Sequence, residues 1–276
     1  MSGKRVYFVS DAHLGSGADS RERELQLCRW LDEIGPTCGC LVLLGDMFDF
    51  WFSYRHVMPR GNVRLLGKLA AMADSGVDIH FFIGNHDMWV FDYLTEECGI
   101  TVHNDPEAMT FGGKRFLVGH GDGLGHTDRW FDFVRHFFRS RVCQRLFAAL
   151  PSSLTFPIAR RWSDSNKRRH EREDCQRYLG DEREGIVIYC KERLQREHFD
   201  YCVFGHRHTP LVRELKVERV ECVNALMREC VSADAPGQLS TFHFPLSTYV
   251  NTGDWLTHRS YAVFDPATGT LELKEY

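Results

Sequence analysis

The chain lacks the features that mark several protein classes. No apolar run approaches the ~18 residues of a membrane-spanning helix, and the first ten residues contain only four consecutive apolar positions, too few for a signal peptide. The ten cysteines are too few for a disulfide scaffold and contain no Cys-x-x-Cys pair. We therefore expect a chain that neither spans a membrane nor is exported, with its thiols reduced.

The chain also lacks an excess of positive charge. It carries 34 Lys and Arg against 38 Asp and Glu, a formal net charge of −4, so no global positive field indicates a nucleic-acid-binding protein. With 43% hydrophobic residues over 276 positions, the chain can bury a sizeable core, which excludes fibrous and disordered classes. Histidine is plentiful, with fourteen residues, and imidazole is the commonest side-chain metal ligand.

Several short apolar runs are followed at once by glycine or serine and then by Asp, Asn or His. These segments are residues 6–13, 41–46, 79–87, 116–122 and 201–208. Runs that are apolar on both faces suit strands buried on both sides of a sheet. Right-handed crossovers bring the carboxyl ends of successive parallel strands to one edge, where ligands collect in α/β folds. We therefore expect the polar residues to converge.

Helical periodicity lies between the first three runs. One predicted helix buries Leu25, Cys28, Leu31 and Ile34, and a second buries Val63, Leu66, Ala70 and Ala73. Residues 248–276 are typical of short strands separated by turns. The signal in residues 224–240 is too weak to place that segment.

Each polar motif alone is compatible with an ordinary turn or helix cap. The ordered series D-x-H, G-D-x-x-D, G-N-H-D, G-H-G-D and G-H-x-H at five strand ends is improbable as a set of independent turns. Carboxylate, amide oxygen and imidazole together suit Mn²⁺, Fe²⁺ or Zn²⁺. Two such ions ~3.5–4 Å apart would activate water and offset the charge that grows on a phosphoryl group.

This series resembles the calcineurin-like metallophosphoesterase superfamily across nearly the whole chain. The resemblance implies an α/β (α+β) four-layer sandwich, in which two central β-sheets are flanked by helices, with two divalent ions, Mn²⁺ most of all, at the strand ends. Asp46 would bridge the two ions. By the same resemblance the first ion is held by Asp11, His13 and His208, and the second by Asn85, His120 and His206.

His86 follows Asn85 directly and is followed by Asp87. By resemblance, His86 points into the site, is aligned by the Asp87 carboxylate, and protonates or stabilises the leaving oxygen. The alternative is a loop histidine that only neighbours a ligand. Asp49 and Asp122 are expected behind the ligands, where they would fix a tautomer or a turn.

Residues 127–173 contain no strand signal and are interpreted as a helical cap inserted into a single domain that spans 1–276. They hold eleven Lys and Arg against five Asp and Glu, a net charge of +6. Apolar residues recur near helical spacing among these arginines: Trp130, Phe131, Val134, Phe138, Val142 and Phe147. Such a basic amphipathic helix either only packs on the catalytic domain or meets an anionic, acylated substrate or an acidic membrane surface.

Within the superfamily, the chain is most similar to the UDP-2,3-diacylglucosamine pyrophosphohydrolases of lipid A biosynthesis. The narrower likeness is carried by residues 46–52, by Asp128, and by residues 150–151, 158–162 and 165–167. It implies hydrolysis to UMP and 2,3-diacylglucosamine 1-phosphate at the cytoplasmic face of the inner membrane, with a peripheral membrane contact and no nucleic-acid or protein partner. Substrate contacts are then expected from Asn85, Asp128, Asn166 and His206. Well-known members have arginine where this chain has His86.

Two other functions remain open at this stage. One is a metallophosphoesterase that acts on a different phosphodiester or phosphomonoester, which an open site without an apolar cap would favour. The other is a binding module that kept the fold and lost catalysis. Such a loss would show as eroded ligand positions, whereas every predicted ligand position here is filled.

Overall fold

The computed structural model describes residues 4–54, 56–125, 137–151, 155, 178, 180–216, 218–220, 241–243 and 246–276. The strands are β1 Arg5–Val9, β2 Cys38–Leu43, β3 Asp78–Phe82, β4 Thr101–His103, β5 Glu107–Phe111, β6 Lys114–Gly119, β7 Tyr201–Phe204, β8 Pro210–Leu215, β9 Glu218–Val220, β10 Thr241–His243, β11 Ser247–Thr252, β12 Ser260–Asp265 and β13 Thr270–Glu275. The helices are α1 Ser20–Ile34, α2 Val63–Asp74, α3 Tyr93–Cys98, α4 Arg141–Ala149 and α5 Gly185–Leu194. Asp128, Asn166 and residues 224–240 lie outside the described residues.

The strands form two mixed sheets. The first sheet has the order β13-β12-β1-β2-β3-β4, and β1 to β4 run parallel while β12 and β13 are antiparallel additions. The second sheet has the order β5-β6-β7-β11-β8, with β6, β7 and β11 parallel. The short strands β9 and β10 pair with each other. The five strands predicted from the apolar runs are β1, β2, β3, β6 and β7, divided between the two sheets.

Three apolar cores stack these elements into four layers. Helices α1, α2 and α3 pack on the outer face of the first sheet, and α5 packs on the outer face of the second. Between the sheets lies a core of side chains from both, in which the rings of Phe8 and Phe116 stack 5.8 Å apart. Each sheet packs against helices on one face and against the other sheet on the other face, which explains why its strands are apolar on both faces. The expected α/β sandwich is confirmed.

The helices differ from their predictions in which residues they bury. Helix α2 buries Leu65, Leu69 and Met72, and the predicted residues Leu66, Ala70 and Ala73 are partly buried against the same core. Val63 is 67% exposed, because it lies at the first turn, where Glu24 of α1 accepts hydrogen bonds from the backbone amides of Arg64 and Leu65. This contact sets the rotation of α2, which sequence periodicity alone does not specify.

The basic amphipathic helix predicted from Trp130 onward does not continue unbroken through residue 140. Ser140 is extended and its hydroxyl accepts a hydrogen bond from the amide of Cys143, so a new helix, α4, begins at Arg141. Helix α4 therefore turns Cys143 toward the core and leaves Val142 68% exposed, although Val142 was predicted on the packed side. None of the described helices combines the length and the apolar character needed to cross a bilayer.

Candidate metal centre

The loops that follow β1, β2, β3, β6 and β7 meet above the carboxyl ends of both sheets. Backbone hydrogen bonds hold them together. The amides of Asp11 and His13 donate to the carbonyl oxygens of Gly45 and Asp46, at 3.1 and 2.9 Å. The amide of Gly205 donates to the carbonyl of His120 at 3.0 Å, which links the two loops of the second sheet. The motifs thus converge as predicted, and hydrogen bonds between their backbones hold them together.

Five predicted ligand residues adopt the left-handed region of φ. Their φ angles are 53° for Asp11, 42° for His13, 52° for Asp46, 70° for His206 and 56° for His208. A residue with a Cβ atom avoids this region, at a cost of roughly 1–3 kcal/mol for each strained position. Strained positions of this kind cluster at functional sites, because the sharp turn aims the side chain inward.

Asp11, His13 and His208 form a first group of potential ligands. The Oδ1 atom of Asp11 lies 3.4 Å from Nε2 of His208 and 3.9 Å from Nε2 of His13. The two imidazole Nε2 atoms are 3.3 Å apart. Three ligand atoms of two chemical types therefore surround one point, as the first predicted ion requires.

Asp46, His120 and His206 form a second group. Nε2 of His120 lies 3.4 Å from Oδ2 of Asp46, 3.2 Å from Nδ1 of His206 and 3.4 Å from the amide oxygen of Asn85. The same Oδ2 atom of Asp46 lies 3.8 Å from Nε2 of His13 in the first group. Asp46 therefore stands between the two groups, where a bridging carboxylate would be.

Two features of the first group fit a bound cation. Asp11 is fully buried, its Oδ2 atom accepts a hydrogen bond from the amide of His206, and its Oδ1 atom has no hydrogen-bond partner among the described residues. A buried carboxylate oxygen without a partner is costly unless a cation meets it. Oxygen and imidazole ligands together suit Mn²⁺, Fe²⁺ or Zn²⁺. The residues present therefore fit a divalent metal ion.

Burial and neighbouring charges shift the pKa values of the centre in different directions. Burial lowers the pKa of His13 to about 3, which keeps this imidazole in the neutral form that binds metals. Burial would raise the pKa of Asp46, but the charges of His120 and His86 hold it well below its usual value. Burial would likewise lower the pKa of His120, but the charge of Asp46 and the hydrogen bond to it raise that pKa to about 10.

His86 lies beside both groups. Its ring meets that of His13 edge-on, with centroids 4.7 Å apart, and one of its nitrogens lies within 4.8 Å of ligand atoms of His13 and Asp46. Nδ1 of His86 lies 2.9 Å from the carbonyl oxygen of Asp49. This contact assigns the proton to Nδ1 and leaves Nε2 as the nitrogen that can act on a substrate.

The structure gives Asp87 a different role from the expected one. Both of its oxygens accept hydrogen bonds from backbone amides, those of Gly84, Asp46, Met47 and Phe48. The partner that orients His86 is Asp49, whereas Asp87 fastens the loop after β2 to the loop after β3. Burial and the nearby charge of Asp46 raise the pKa of Asp87 to about 7.

Two residues that support the centre were not singled out in the sequence. Arg23, which is buried, donates hydrogen bonds to the carbonyl oxygens of Ala12, His13 and Ser16 at 2.9, 3.2 and 2.6 Å. Asp254 places Oδ2 3.4 Å from Nδ1 of His208. A signal for Asp254 existed, because Gly253 and Asp254 directly follow strand β11, as glycine and aspartate do in the other motifs.

A cluster of aromatic residues, which we call the aromatic cluster, adjoins the loops that carry Asp46 and His86. The indole nitrogen of Trp89 donates to the carbonyl of Phe138 at 2.9 Å, and the ring of Phe147 lies 4.8 Å from that of Trp89. Helix α4 is thereby fastened next to the candidate centre. The cluster comprises Phe50, Phe52, Tyr54, Met88, Trp89, Phe138, Cys143 and Phe147.

Comparison with known proteins yields one family whose model matches this chain. Residues 4–210 match the calcineurin-like phosphoesterase family. The matched range contains every residue that the sequence analysis assigned to metal binding or catalysis.

Several curated relatives share one name. The UDP-2,3-diacylglucosamine hydrolase of Porphyromonas gingivalis is 34% identical, over 98% of this chain and 98% of that protein. The enzyme of the same name from Nitrosococcus oceani is 27% identical, over 77% of this chain and 82% of its own length. That of Edwardsiella ictaluri is 26% identical, over 78% and 80% of the two chains.

Proposed function

Because the chain belongs to the calcineurin-like phosphoesterase family and is a metal-dependent hydrolase, we propose that it hydrolyses the pyrophosphate of UDP-2,3-diacylglucosamine. The products are UMP and 2,3-diacylglucosamine 1-phosphate, and the step belongs to lipid A biosynthesis. The observation that carries this proposal is the 34% identity to the Porphyromonas gingivalis hydrolase along 98% of both chains.

We assign two divalent ions to the centre, with Mn²⁺ as the first choice. When bound, the ions lower the pKa of a water molecule and offset the negative charge that develops at phosphorus. Asp11, His13 and His208 would hold one ion, Asn85, His120 and His206 would hold the other, and Asp46 would contact both. The distances between these ligand atoms support the assignment.

His86 is assigned to the leaving group. The carbonyl oxygen of Asp49 fixes its Nδ1 proton, so its Nε2 atom, when protonated, donates to the leaving oxygen or stabilises its charge. Asp87 takes no part in proton transfer in this assignment, because its oxygens are engaged by backbone amides. Asp87 is instead a positioning residue for the loops that carry Asp46 and Asn85.

The aromatic cluster supports an acylated substrate. Its residues 50–54 and 88–89 follow Asp46 and His86 along the chain, and Phe50, Phe138 and Phe147 are only partly buried. We assign to these rings the apolar chains of a substrate whose pyrophosphate lies at the ions. Each methylene buried there contributes ~0.8 kcal/mol. Asn85 and His206 would contact the substrate at the ions, and Asp128 and Asn166 would contact it from a helical cap formed by residues 127–173 within a single domain.

We further propose that the protein acts as a peripheral protein at the cytoplasmic face of the inner membrane. Helix α4 exposes Val142 and Leu146 together with Arg141 and Arg145. Exposed apolar and basic side chains on one short helix fit the interface of a bilayer with anionic lipids. No nucleic-acid or protein partner is part of the proposal.

The direct test compares three substrates with the purified full chain and Mn²⁺. They are UDP-2,3-diacylglucosamine, its deacylated counterpart and a small chromogenic phosphodiester. We expect rapid release of UMP from the acylated substrate, slow release from the deacylated one, and incorporation of ¹⁸O from labelled water into UMP. Label found only in the sugar phosphate would show that water attacks the phosphorus on the sugar side of the pyrophosphate.

Two results would replace the proposal by one of its rivals. If the chromogenic diester is hydrolysed faster than UDP-2,3-diacylglucosamine, the protein is a phosphoesterase for another substrate. If the chain binds two ions and turns over none of the three, it is a binding module on this fold.

A further inference from the structure

A separate group of potential metal ligands lies near the amino-terminal ends of strands β2 and β3 in the first sheet. Cys40 is the third residue of β2, and Asp78 and His80 are the first and third residues of β3. Cys40 and Asp78 are register partners, and one potential ligand atom from each of the three residues lies within 4.8 Å of the others. The candidate metal centre follows the carboxyl ends of these strands, so this group is distinct from it.

His80 begins a chain of contacts that crosses to the second sheet. Its Nε2 atom lies 3.1 Å from Oδ2 of Asp78, and its Nδ1 atom lies 2.9 Å from Nε2 of His103 in β4. Nδ1 of His103 lies 3.1 Å from Oε2 of Glu107 in β5. Two hydrogen bonds and one ion-pair contact therefore join two carboxylates through two imidazoles.

His80 offers one nitrogen to the group of potential ligands and the other to His103. A neutral imidazole carries one N–H group and one lone pair. Nδ1 of His80 lies against His103, and Nε2 lies against the Asp78 carboxylate. With the proton on Nδ1, the lone pair of Nε2 faces Asp78, and a shared cation joins two such ligand atoms.

We propose that Cys40, Asp78 and His80 bind a divalent transition-metal ion, for which zinc has the best-suited chemistry. Sulfur, imidazole nitrogen and carboxylate oxygen are the three ligand types that Zn²⁺ takes in proteins. Binding converts the Cys40 thiol to a thiolate and releases its proton to solvent. Burial and the charge of Asp78 raise the pKa of this thiol, so it keeps its proton until an ion displaces it.

The remaining contacts then complete the second layer of the site. With the ion on Nε2 of His80, its Nδ1–H group donates to Nε2 of His103, whose Nδ1 atom lies 3.1 Å from Oε2 of Glu107. The tautomer of the ligand is then fixed in the manner usual for metal-bound histidine. The ion ties β2 to β3, and the two rings extend that link to β4 and to β5 of the second sheet.

Cobalt(II) binding tests the proposal on the full chain. A cobalt–thiolate bond gives a charge-transfer absorption band in the near ultraviolet, and the candidate catalytic ligands include no cysteine, so a band that is lost in C40S reports on Cys40. We expect the band in the wild-type protein and in C38S, and its loss in C40S. Cys38 is the matched control, because it is buried on the same strand and packs into the core on the other face. The absence of the band from the wild type, or its equal loss in both variants, would overturn the proposal.

A second variant avoids the risk that a core substitution prevents folding. The side chain of Asp78 is 67% exposed, so Asp78→Asn should fold. Zinc content after dialysis should fall by one ion per chain in Asp78→Asn, and by none in Asp74→Asn, an exposed aspartate at the end of α2. Unchanged zinc content in Asp78→Asn would contradict the site, and folding of both variants is checked by circular dichroism.

Discussion

Nδ1 of His208 lies 3.4 Å from Oδ2 of Asp254. The carboxylate of Asp254 is itself fixed, because its Oδ1 atom accepts hydrogen bonds from the amides of Thr257 and His258, both at 2.9 Å. Asp254 is buried, and the ring that it orients directs its Nε2 atom toward Asp11. The strand β11 thus contributes to the metal centre without contributing a ligand.

We expect Asp254→Asn to weaken Mn²⁺ binding by about 10–100-fold, the usual effect of removing the partner of a metal-bound histidine. The asparagine side chain still accepts the two amide hydrogen bonds but loses the charge that holds the imidazole proton. The measurement is the Mn²⁺ concentration dependence of phosphodiester hydrolysis. Asp265→Asn is the matched control, since Asp265 also accepts a backbone amide in a turn but lies far from the centre. Equal weakening in both variants would remove the specific role of Asp254.

His86→Ala should lower turnover by about 10²-fold or more, the usual contribution of a general acid, and leave Mn²⁺ affinity nearly unchanged. His86→Arg should retain a larger share of activity, because a guanidinium stabilises developing charge although it cannot donate a proton. Turnover and Mn²⁺ affinity are measured separately, with His198→Ala as the control histidine. If His86→Ala turned over at the wild-type rate, His86 would be only a loop residue.

The loops of the centre could be predicted from sequence because each motif is local. A strand and the few residues after it are contiguous, so a run such as residues 79–87 displays both the element and its polar end. The left-handed φ of Asp11 and Asp46 could not be predicted from the sequence, because neither residue is a glycine, the residue type that usually indicates this conformation. The sequence therefore identifies which residues meet but not the strained turns that aim them.

Contacts between residues far apart in the chain could not be predicted from the sequence. Glu24 sets the rotation of α2 from 40 residues away, and Asp87 holds amides of a loop about as far removed. Apolar periodicity cannot express such contacts, so Val63 was predicted on the buried side of α2 although it is 67% exposed. Asp87 was assigned to its neighbour His86 for the same reason, because proximity along the chain was the only available evidence.

The aromatic cluster should determine the preference for acylated substrate. Phe147→Ala removes a ring that packs against Phe52 and Trp89, 4.9 and 4.8 Å away between centroids. Loss of contact with two methylenes is worth ~1.6 kcal/mol, so the ratio of kcat/KM for acylated over deacylated substrate should fall about tenfold. Val63→Ala, at an exposed position of α2, should leave the ratio unchanged. An equal loss on both substrates would assign Phe147 a purely structural role.

Asp200 provides a test of stability against pH that is independent of the metal centre. Its Oδ2 atom accepts the amide of Arg115 at 2.8 Å and its Oδ1 atom lies 3.0 Å from Nζ of Lys114. Burial would raise the pKa of Asp200, but these contacts hold it below its usual value. A carboxyl group with a lowered folded-state pKa stabilises the fold above its unfolded pKa of ~3.9, and this contribution is lost as the pH falls through the folded value.

We therefore expect Asp200→Asn to lower the free energy of unfolding at neutral pH by about 1 kcal/mol, a size that allows for solvent screening. The difference from wild type should shrink as the pH falls below about 4 and vanish below the lowered folded-state pKa, where Asp200 is protonated in both states. Urea unfolding across this pH range measures it. Asp105→Asn, in an exposed pair with Arg139, should have little effect at any pH. A difference that stayed constant into acid would show that the Asp200 charge is not responsible.

The central claim, a hydrolase whose two ions share Asp46, is tested most directly by a single titration. Protein freed of metal by a chelator receives Mn²⁺ in steps, and the release of UMP from UDP-2,3-diacylglucosamine is followed against the number of ions bound. We predict no release before Mn²⁺ is added and a rise that is complete at two ions per chain. Asp46→Ala should remain inactive at every Mn²⁺ concentration, because its loss leaves two cations without a shared anion. Full turnover by the chelated protein, or by Asp46→Ala, would contradict the account.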